Sequence, residues 1–157
     1  MANRFTDSQK WDDPWFRKLP PKFKIFWIFL LDKCNHAGIW KVDFESASFH
    51  IKEEINEEEA ITFLNGRIYE YSDKWFIPKF IFFQYGELVE INRVHKSVIS
   101  ILKKEGLYKV YQQTLVGLKD KDKEKDKDMD KYKEKDKDKE KDKDPMKEEI
   151  RKFRESI

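Results

Sequence analysis

The stretch that decides the fold runs from Gly66 to Gly86 and reads GRIYEYSDKWFIPKFIFFQYG. Its β-branched and aromatic residues are typical of strands, and a tight polar turn, Ser72-Asp73-Lys74, interrupts them. We therefore predict a β-hairpin with strands over Ile68–Tyr71 and Trp75–Phe83. Pro78 lies inside the second strand and marks an edge or a bulge there, because proline cannot donate a ladder hydrogen bond.

Helical patterns precede this hairpin. Apolar residues spaced three and four apart predict a long helix over Lys22–Cys34, and a short strand over Ile39–Val42 follows. A second helix is expected over Phe44–Ile51, capped by Asp43. A third, over Asn56–Asn65, begins with a capping-box-like pair and three glutamates that suit a positive helix N-terminus.

One more helix follows the hairpin. Asn92 can cap a helix that continues through Glu105, whereas Leu107–Leu118 is expected to be a fading C-terminal segment. The element order is helix, short strand, helix, helix, hairpin, helix, which is typical of a winged helix-turn-helix. We therefore predict an α+β, mainly helical fold: a winged helix-turn-helix with a β-hairpin wing, followed by a disordered charged tail.

The tail is defined by 26 residues, Lys119–Asp144, in which Lys alternates with Asp or Glu apart from Met129 and Tyr132. Its 12 Lys balance 12 acidic residues, so it has no net charge and little to bury. The sequence thus predicts a winged-helix domain over residues 1–118, a low-complexity linker over 119–144 and a short amphipathic helical segment over 145–157. In that last segment the apolar residues expected to bind a partner protein are Met146, Ile150, Phe153 and Ile157.

The sequence argues against a membrane-spanning protein. The longest apolar run, Ile25–Leu31, has seven residues, far short of the roughly 20 that a membrane span needs. No basic and apolar leader follows Met1, so we expect a cytoplasmic protein without a membrane partner. Cys34, as a single cysteine, cannot form an internal disulfide.

No catalytic motif is found in the sequence. A glycine-rich phosphate loop is absent, and Cys34 with His36 lacks the second ligand pair of a zinc site. We therefore expect no enzymatic activity, no catalytic residue, no metal and no cofactor.

Four segments of the chain carry a family resemblance. They are KWDDPWFRKL, CNHAGIW, GRIYEYSDKWFIPKFIFFQYG and INRVHKSVISILKKEGLY, within about Lys10–Tyr111. Together they resemble the N-terminal winged-helix domain of phage and prophage replication proteins, the replisome organisers and DnaD-like helicase-loading proteins. The resemblance implies a replication accessory that binds DNA, single- or double-stranded, and contacts a replicative helicase or its loader.

The third predicted helix is poorly suited to DNA, because Glu53, Glu54 and Glu57–Glu59 at its N-terminus would face phosphates. Positive charge must then come from other segments. The candidate DNA-binding residues are Arg67, Lys74, Lys79, Arg93, Lys96, Lys103, Lys104 and Lys109. The candidate base-stacking residues, if exposed, are Tyr69, Tyr71 and Trp75.

Two alternatives remain. One is a winged-helix transcriptional regulator that reads a particular duplex. The other is a homo-oligomerisation module without DNA binding, in which the acidic third helix contacts the basic 67–110 band of a second copy.

Overall fold

The computed structural model describes residues 4–119. After a 3₁₀ turn at Ser8–Trp11, this part of the chain is mainly helical with one small sheet. Its elements in chain order are α1 (Pro14–Lys18), α2 (Pro21–Lys33), β1 (Ile39–Lys41), α3 (Phe44–Ile51), α4 (Glu57–Leu64), β2 (Tyr69–Tyr71), β3 (Lys74–Phe76), α5 (Pro78–Tyr85) and α6 (Arg93–Lys104). The coarse prediction of a mainly helical α+β fold is confirmed.

Side-chain caps start three of the helices where the sequence predicted them. Asp43 accepts a hydrogen bond from the Ser46 N–H at the start of α3. Asn56 accepts from two N–H groups of the first turn of α4, and Asn92 does the same for α6. These bonds satisfy backbone donors that have no partner inside the helix, so the caps fix where α3, α4 and α6 begin.

The three strands form one antiparallel sheet in the order β1-β3-β2. The predicted hairpin is present, and Ser72 and Asp73 form its two-residue turn because Lys74 already belongs to β3. Tyr71 lies opposite Lys74 in the register, and Glu70 lies opposite Trp75. Since facing residues share a side of the sheet, Tyr71 and Lys74 are on one face and Trp75 is on the other.

The predicted second strand, Trp75–Phe83, is wrong beyond Phe76. The chain leaves the sheet at Ile77, whose N–H donates to the Gly38 carbonyl at 2.9 Å, and α5 begins at Pro78. Proline suits a first helical position because its missing N–H would have had no partner there. The helix buries Phe80 and Ile81, so tertiary packing overrides the strand preference of this aromatic run.

The expectation of a fading segment after α6 is also wrong for the described residues. Residues 108–115 are helical, and Leu107 and Tyr111 are buried in the core. The chain divides into two compact units, the first ending at Leu115 and the second beginning at Val116. The structure describes only residues 116–119 of the second unit, and these are helical. The linker beyond Lys119 and the predicted segment 145–157 lie outside the described residues.

An aromatic cluster fills the space between α2, α3 and the sheet. Trp75 is at its centre, with ring centroids 5.3 Å from Phe44, 5.5 Å from Trp40 and 6.1 Å from Phe26. Edge-to-face pairs of this kind add to the free energy gained by burial alone. This cluster anchors one face of the hairpin, and Lys74 on the other face binds Glu105, the residue that follows α6.

The N-terminal segment is fixed against the C-terminal end of α2. The Arg4 guanidinium donates hydrogen bonds to the carbonyls of Leu31 and Cys34, and it also lies over the Phe80 ring. A cation at this end of a helix satisfies carbonyls that lack helical partners. Burial raises the pKa of the Cys34 thiol to about 11, although the nearby Arg4 opposes this shift. No helix among residues 4–119 is long and apolar enough to cross a lipid bilayer.

Candidate nucleic-acid interface

The outer side of α6 carries the densest positive charge among the predicted site residues. Arg93, Lys96, Lys103 and Lys104 are all exposed, and at 3.6 residues per turn they fall within about 100° of arc. Ser100 lies in the same arc, and no acidic residue occurs between positions 93 and 104. We call these four cations and Ser100 the basic face. Its ends are about 16 Å apart at the rise of an α-helix.

The opposite side of α6 explains why the basic face points outward. Val98, Ile99 and Leu102 are buried, and their spacing defines a single apolar stripe. Because that stripe is held in the core, the cations about half a turn away must face solvent. The sequence alone gives this arrangement through its helical period.

An ion pair brings the hairpin to the C-terminal end of α6. The Lys74 ammonium lies 2.7 Å from a carboxylate oxygen of Glu105, the residue that follows α6. This hydrogen bond to Glu105 is the main reason that the pKa of Lys74 is raised above its ordinary value. Lys74 is therefore occupied within the fold, and its role as a DNA-binding candidate is weakened.

Two of the three predicted base-stacking residues are exposed to solvent. Tyr69 is 43% exposed and Tyr71 is 39% exposed, whereas Trp75 is 2% exposed. Trp75 belongs to the aromatic cluster and offers no surface for a base. The two tyrosines share the face of the hairpin that carries Lys74, so they lie on the side that contacts the end of α6.

Arg67 is committed to packing. Its guanidinium lies 4.2 Å from the centre of the Trp15 ring, and one nitrogen lies 3.3 Å from a carboxylate oxygen of Asp13. The Trp15 indole in turn donates a hydrogen bond to the Phe63 carbonyl at 3.0 Å. Arg67 thus joins the α4–β2 connection to the start of α1, a role that the sequence did not reveal because these segments are about 50 residues apart.

The remaining predicted cations lie apart from the basic face along the chain. Lys79 is exposed in the first turn of α5, and Lys109 is exposed near the start of the helical residues that follow α6. Charge alone groups all eight cations, whereas the helical period of α6 places only four of them on one face. Met146, Ile150, Phe153 and Ile157 lie outside the described residues.

The acidic first turn of α4 has the exposure that the sequence suggested. Glu57, Glu58 and Glu59 are all exposed, and Glu59 forms an ion pair of 2.6 Å with Lys22 of α2. The other two carboxylates of the turn face solvent. They would repel a phosphate backbone placed along this end of the helix.

Comparisons with protein-family models, with curated proteins and with solved structures found no match to this chain. The site must therefore be judged on its own chemistry.

Other polar groups near α6 serve the fold or complete the basic face. The imidazole Nε2 of His36 lies 3.0 Å from the Ser97 hydroxyl, and His95 Nδ1 accepts a hydrogen bond from the Val89 N–H at 3.0 Å. Each histidine thus ties α6 to a neighbouring connection. Within residues 4–119, no group of three or more His, Cys, Asp and Glu side chains is placed to hold a metal ion. Ser100 of the basic face was not among the predicted site residues, although its helical spacing from Arg93 and Lys96 places it there.

Proposed function

We propose that this chain is a non-catalytic, cytoplasmic DNA-binding accessory protein of phage or prophage replication, acting in replication initiation or helicase recruitment. The basic face of α6 is the DNA-binding surface in this proposal. The replication role rests on the resemblance of the segments between Lys10 and Tyr111, which the comparisons neither extend nor replace.

We further propose that the first part of the domain is a winged helix. The order α2, β1, α3, α4, β2, β3 and the strand order β1-β3-β2 support this assignment. In such a fold α4 would be the helix that enters the major groove and the β2–β3 hairpin would be the wing. The acidic first turn of α4 argues that DNA is instead held by another surface.

The observation that carries the proposal is the basic face itself. Four exposed cations along about 16 Å of one helix, without an acidic residue between them, match the negative charge of a nucleic-acid backbone. Contacts of this kind are sequence-independent and release counterions, so affinity falls as salt rises. If all four cations neutralise phosphates, the slope of log K against log salt is about −3 on single strands.

A second candidate function is favoured by the exposed carboxylates of α4. Glu57 and Glu58 could contact the basic face of a second copy, which would make the domain an oligomerisation module. Both functions use the basic face and both weaken as salt rises, so the oligomeric state of the DNA-free protein at low salt separates them. Oligomers held in this way should dissociate with salt in light scattering, with or without DNA.

The full-length chain can test the proposal by fluorescence anisotropy with labelled single- and double-stranded DNA. The test variant replaces Arg93, Lys96, Lys103 and Lys104 with Gln. The control replaces four exposed cations from other elements, Arg17, Lys18, Lys33 and Lys41, so that both variants lose the same charge. We expect the test variant to lose nearly all binding and salt dependence, while the control keeps most of both.

Equal losses in the two variants would mean that only net charge matters, and the proposal would then fail. The replication role needs its own measurement: co-purification of the full-length chain with the replicative helicase of its host, or with that helicase's loader. DNA binding without either contact would leave a transcriptional regulator as the better assignment, and tight preference for one palindromic duplex would support it.

A further inference from the structure

The two elements that would read a duplex in a winged helix are both unsuited to it here. The first turn of α4 carries Glu57, Glu58 and Glu59. The hairpin carries Glu70 and Asp73 against the single cation Lys74, and that cation is held by Glu105. The hairpin thus offers phosphates no uncommitted positive charge.

What the hairpin offers is aromatic surface. Tyr69 and Tyr71 are two positions apart on the edge strand β2, so they point to the same side, with Cα atoms about 7 Å apart. Both rings are partly exposed. Aromatic side chains on a sheet are a common platform for unpaired bases, because every base has a π-face and no specific edge is needed.

The ion pair between Lys74 and Glu105 brings these rings to the C-terminal end of α6, where Lys104 is the sequence neighbour of Glu105. Tyr71 is directly opposite Lys74 in the register, and Glu105 immediately follows Lys103 and Lys104 in sequence. The aromatic surface and the basic face therefore both border the C-terminal end of α6. At 100° per residue Glu105 lies about 100° around α6 from Lys104, so a strand held by the basic face reaches the hairpin by passing around the C-terminal end of the helix.

We propose that this composite surface binds single-stranded DNA in preference to duplex, with Tyr69 and Tyr71 stacking on unpaired bases and the basic face holding the phosphates. The inference rests on the proposed DNA-binding function and specifies its ligand. Bases in a duplex are already stacked on their neighbours and cannot reach the tyrosines without being extruded. At the 3.4 Å rise of one strand in duplex DNA the basic face would span about four or five nucleotide steps, and it spans fewer on an extended single strand.

The test compares two double variants of the full-length chain. The alanine pair carries Tyr69→Ala and Tyr71→Ala, and the phenylalanine pair carries Tyr69→Phe and Tyr71→Phe. The ligands are labelled oligo-dT of about 16 nucleotides and a duplex of equal length. The phenylalanine pair keeps the rings and loses only the hydroxyls, so its affinity for oligo-dT should stay within about threefold of wild type. The alanine pair should lose at least about tenfold, since stacking on one base alone is worth about 5- to 150-fold.

Phe49→Ala is the matched control, because Phe49 is an exposed aromatic residue on a different element, α3. Its oligo-dT affinity should match that of wild type, and melting temperatures of all variants should show that the fold persists. The inference would be overturned if the wild-type protein bound duplex as tightly as oligo-dT. It would also be overturned if the alanine pair lost less than about twofold in affinity for oligo-dT.

These outcomes can be distinguished from a failure of the proposed DNA-binding function. If the four-Gln variant of the basic face loses DNA binding while the alanine pair does not, DNA binding stands and stacking is wrong. If the four-Gln variant binds oligo-dT as wild type does, both proposals are wrong.

Discussion

The Lys74 ammonium lies 2.7 Å from the Glu105 carboxylate, and this ion pair joins the β2–β3 hairpin to the C-terminal end of α6. Both side chains are only partly exposed, so the pair is less screened than one on the open surface. It brings Tyr71, which lies opposite Lys74 in the register, to the C-terminal end of α6.

Breaking the Lys74–Glu105 pair should lower stability modestly. Lys74→Ala and Glu105→Gln are each expected to reduce the melting temperature, and the double variant should lose less than the sum, because one contact is removed in all three. The Glu105 hydrogen bond raises the pKa of Lys74 above 10.5 in the folded state, so this stability is present below pH 10.5 and is lost as pH rises through the folded pKa. Additive losses in a double-mutant cycle would show that the pair is not coupled.

Loss of the cap of α6 should weaken DNA binding more than loss of the cap of α4. Asn92→Ala and Asn56→Ala each remove two hydrogen bonds to first-turn N–H groups, and each should cost about 1 kcal/mol of unfolding free energy. Only Asn92→Ala frays the turn that carries Arg93 and Lys96. Chemical denaturation and anisotropy on the same samples check both effects; equal DNA affinities would contradict the placement of the interface on α6.

Gly38→Ala should destabilise the domain more than Gly66→Ala. Both glycines have φ above +70°, where a side chain costs roughly 1–2 kcal/mol. A Cβ at Gly38 would also lie 3.0 Å from the Ile77 carbonyl oxygen and 3.2 Å from a Phe80 ring carbon, whereas Gly66 has open space. Urea denaturation measures the difference in unfolding free energy between the two variants. Similar losses would show that the backbone at Ile77 moves to make room for the added Cβ.

Cys34 should react slowly with thiol reagents in the native protein. Burial raises the pKa of its thiol from 9.0 to about 11, so little thiolate is present near pH 8. The folded state holds this proton more tightly than the unfolded state, so the associated stability is present below pH 9 and is lost between about pH 9 and 11. The loss is on the order of 2–3 kcal/mol.

The Cys34→Ala variant is the control for that pH dependence. It should be less stable at neutral pH because a packed side chain is removed, but its stability should fall less steeply above pH 9. Rapid labelling of native Cys34 at pH 8 would contradict its burial.

Arg67→Ala should affect stability and leave DNA binding largely unchanged. Removing the guanidinium abolishes the contact with the Trp15 ring and the ion pair with Asp13, at an expected cost of about 0.5–2 kcal/mol. The salt slope of DNA binding should stay the same, because Arg67 is not part of the basic face. A slope that becomes shallower by about one would identify Arg67 as a phosphate contact.

The sequence predicted correctly the features that depend only on residues close together in the chain. Asp43, Asn56 and Asn92 cap the helices they were expected to cap, since a cap bonds to N–H groups two or three residues away. The hairpin turn at Ser72 and Asp73 was predicted for the same reason. The run after Pro78 was misassigned because aromatic residues favour strands locally, and only the burial of Phe80 and Ile81 makes the helix preferable.

The helical period of residues 93–104 is enough to form the apolar stripe of α6 and to place Arg93, Lys96, Lys103 and Lys104 on one face. The sequence also located two tyrosines on one side of a strand. Which predicted site residues stay exposed depends on packing between distant segments: Trp75 enters the aromatic cluster, Arg67 stacks on Trp15, and Lys74 binds Glu105. The physical reason is distance along the chain, because period and caps are set within a few residues, whereas burial and ion pairing depend on partners roughly 30 to 50 residues away.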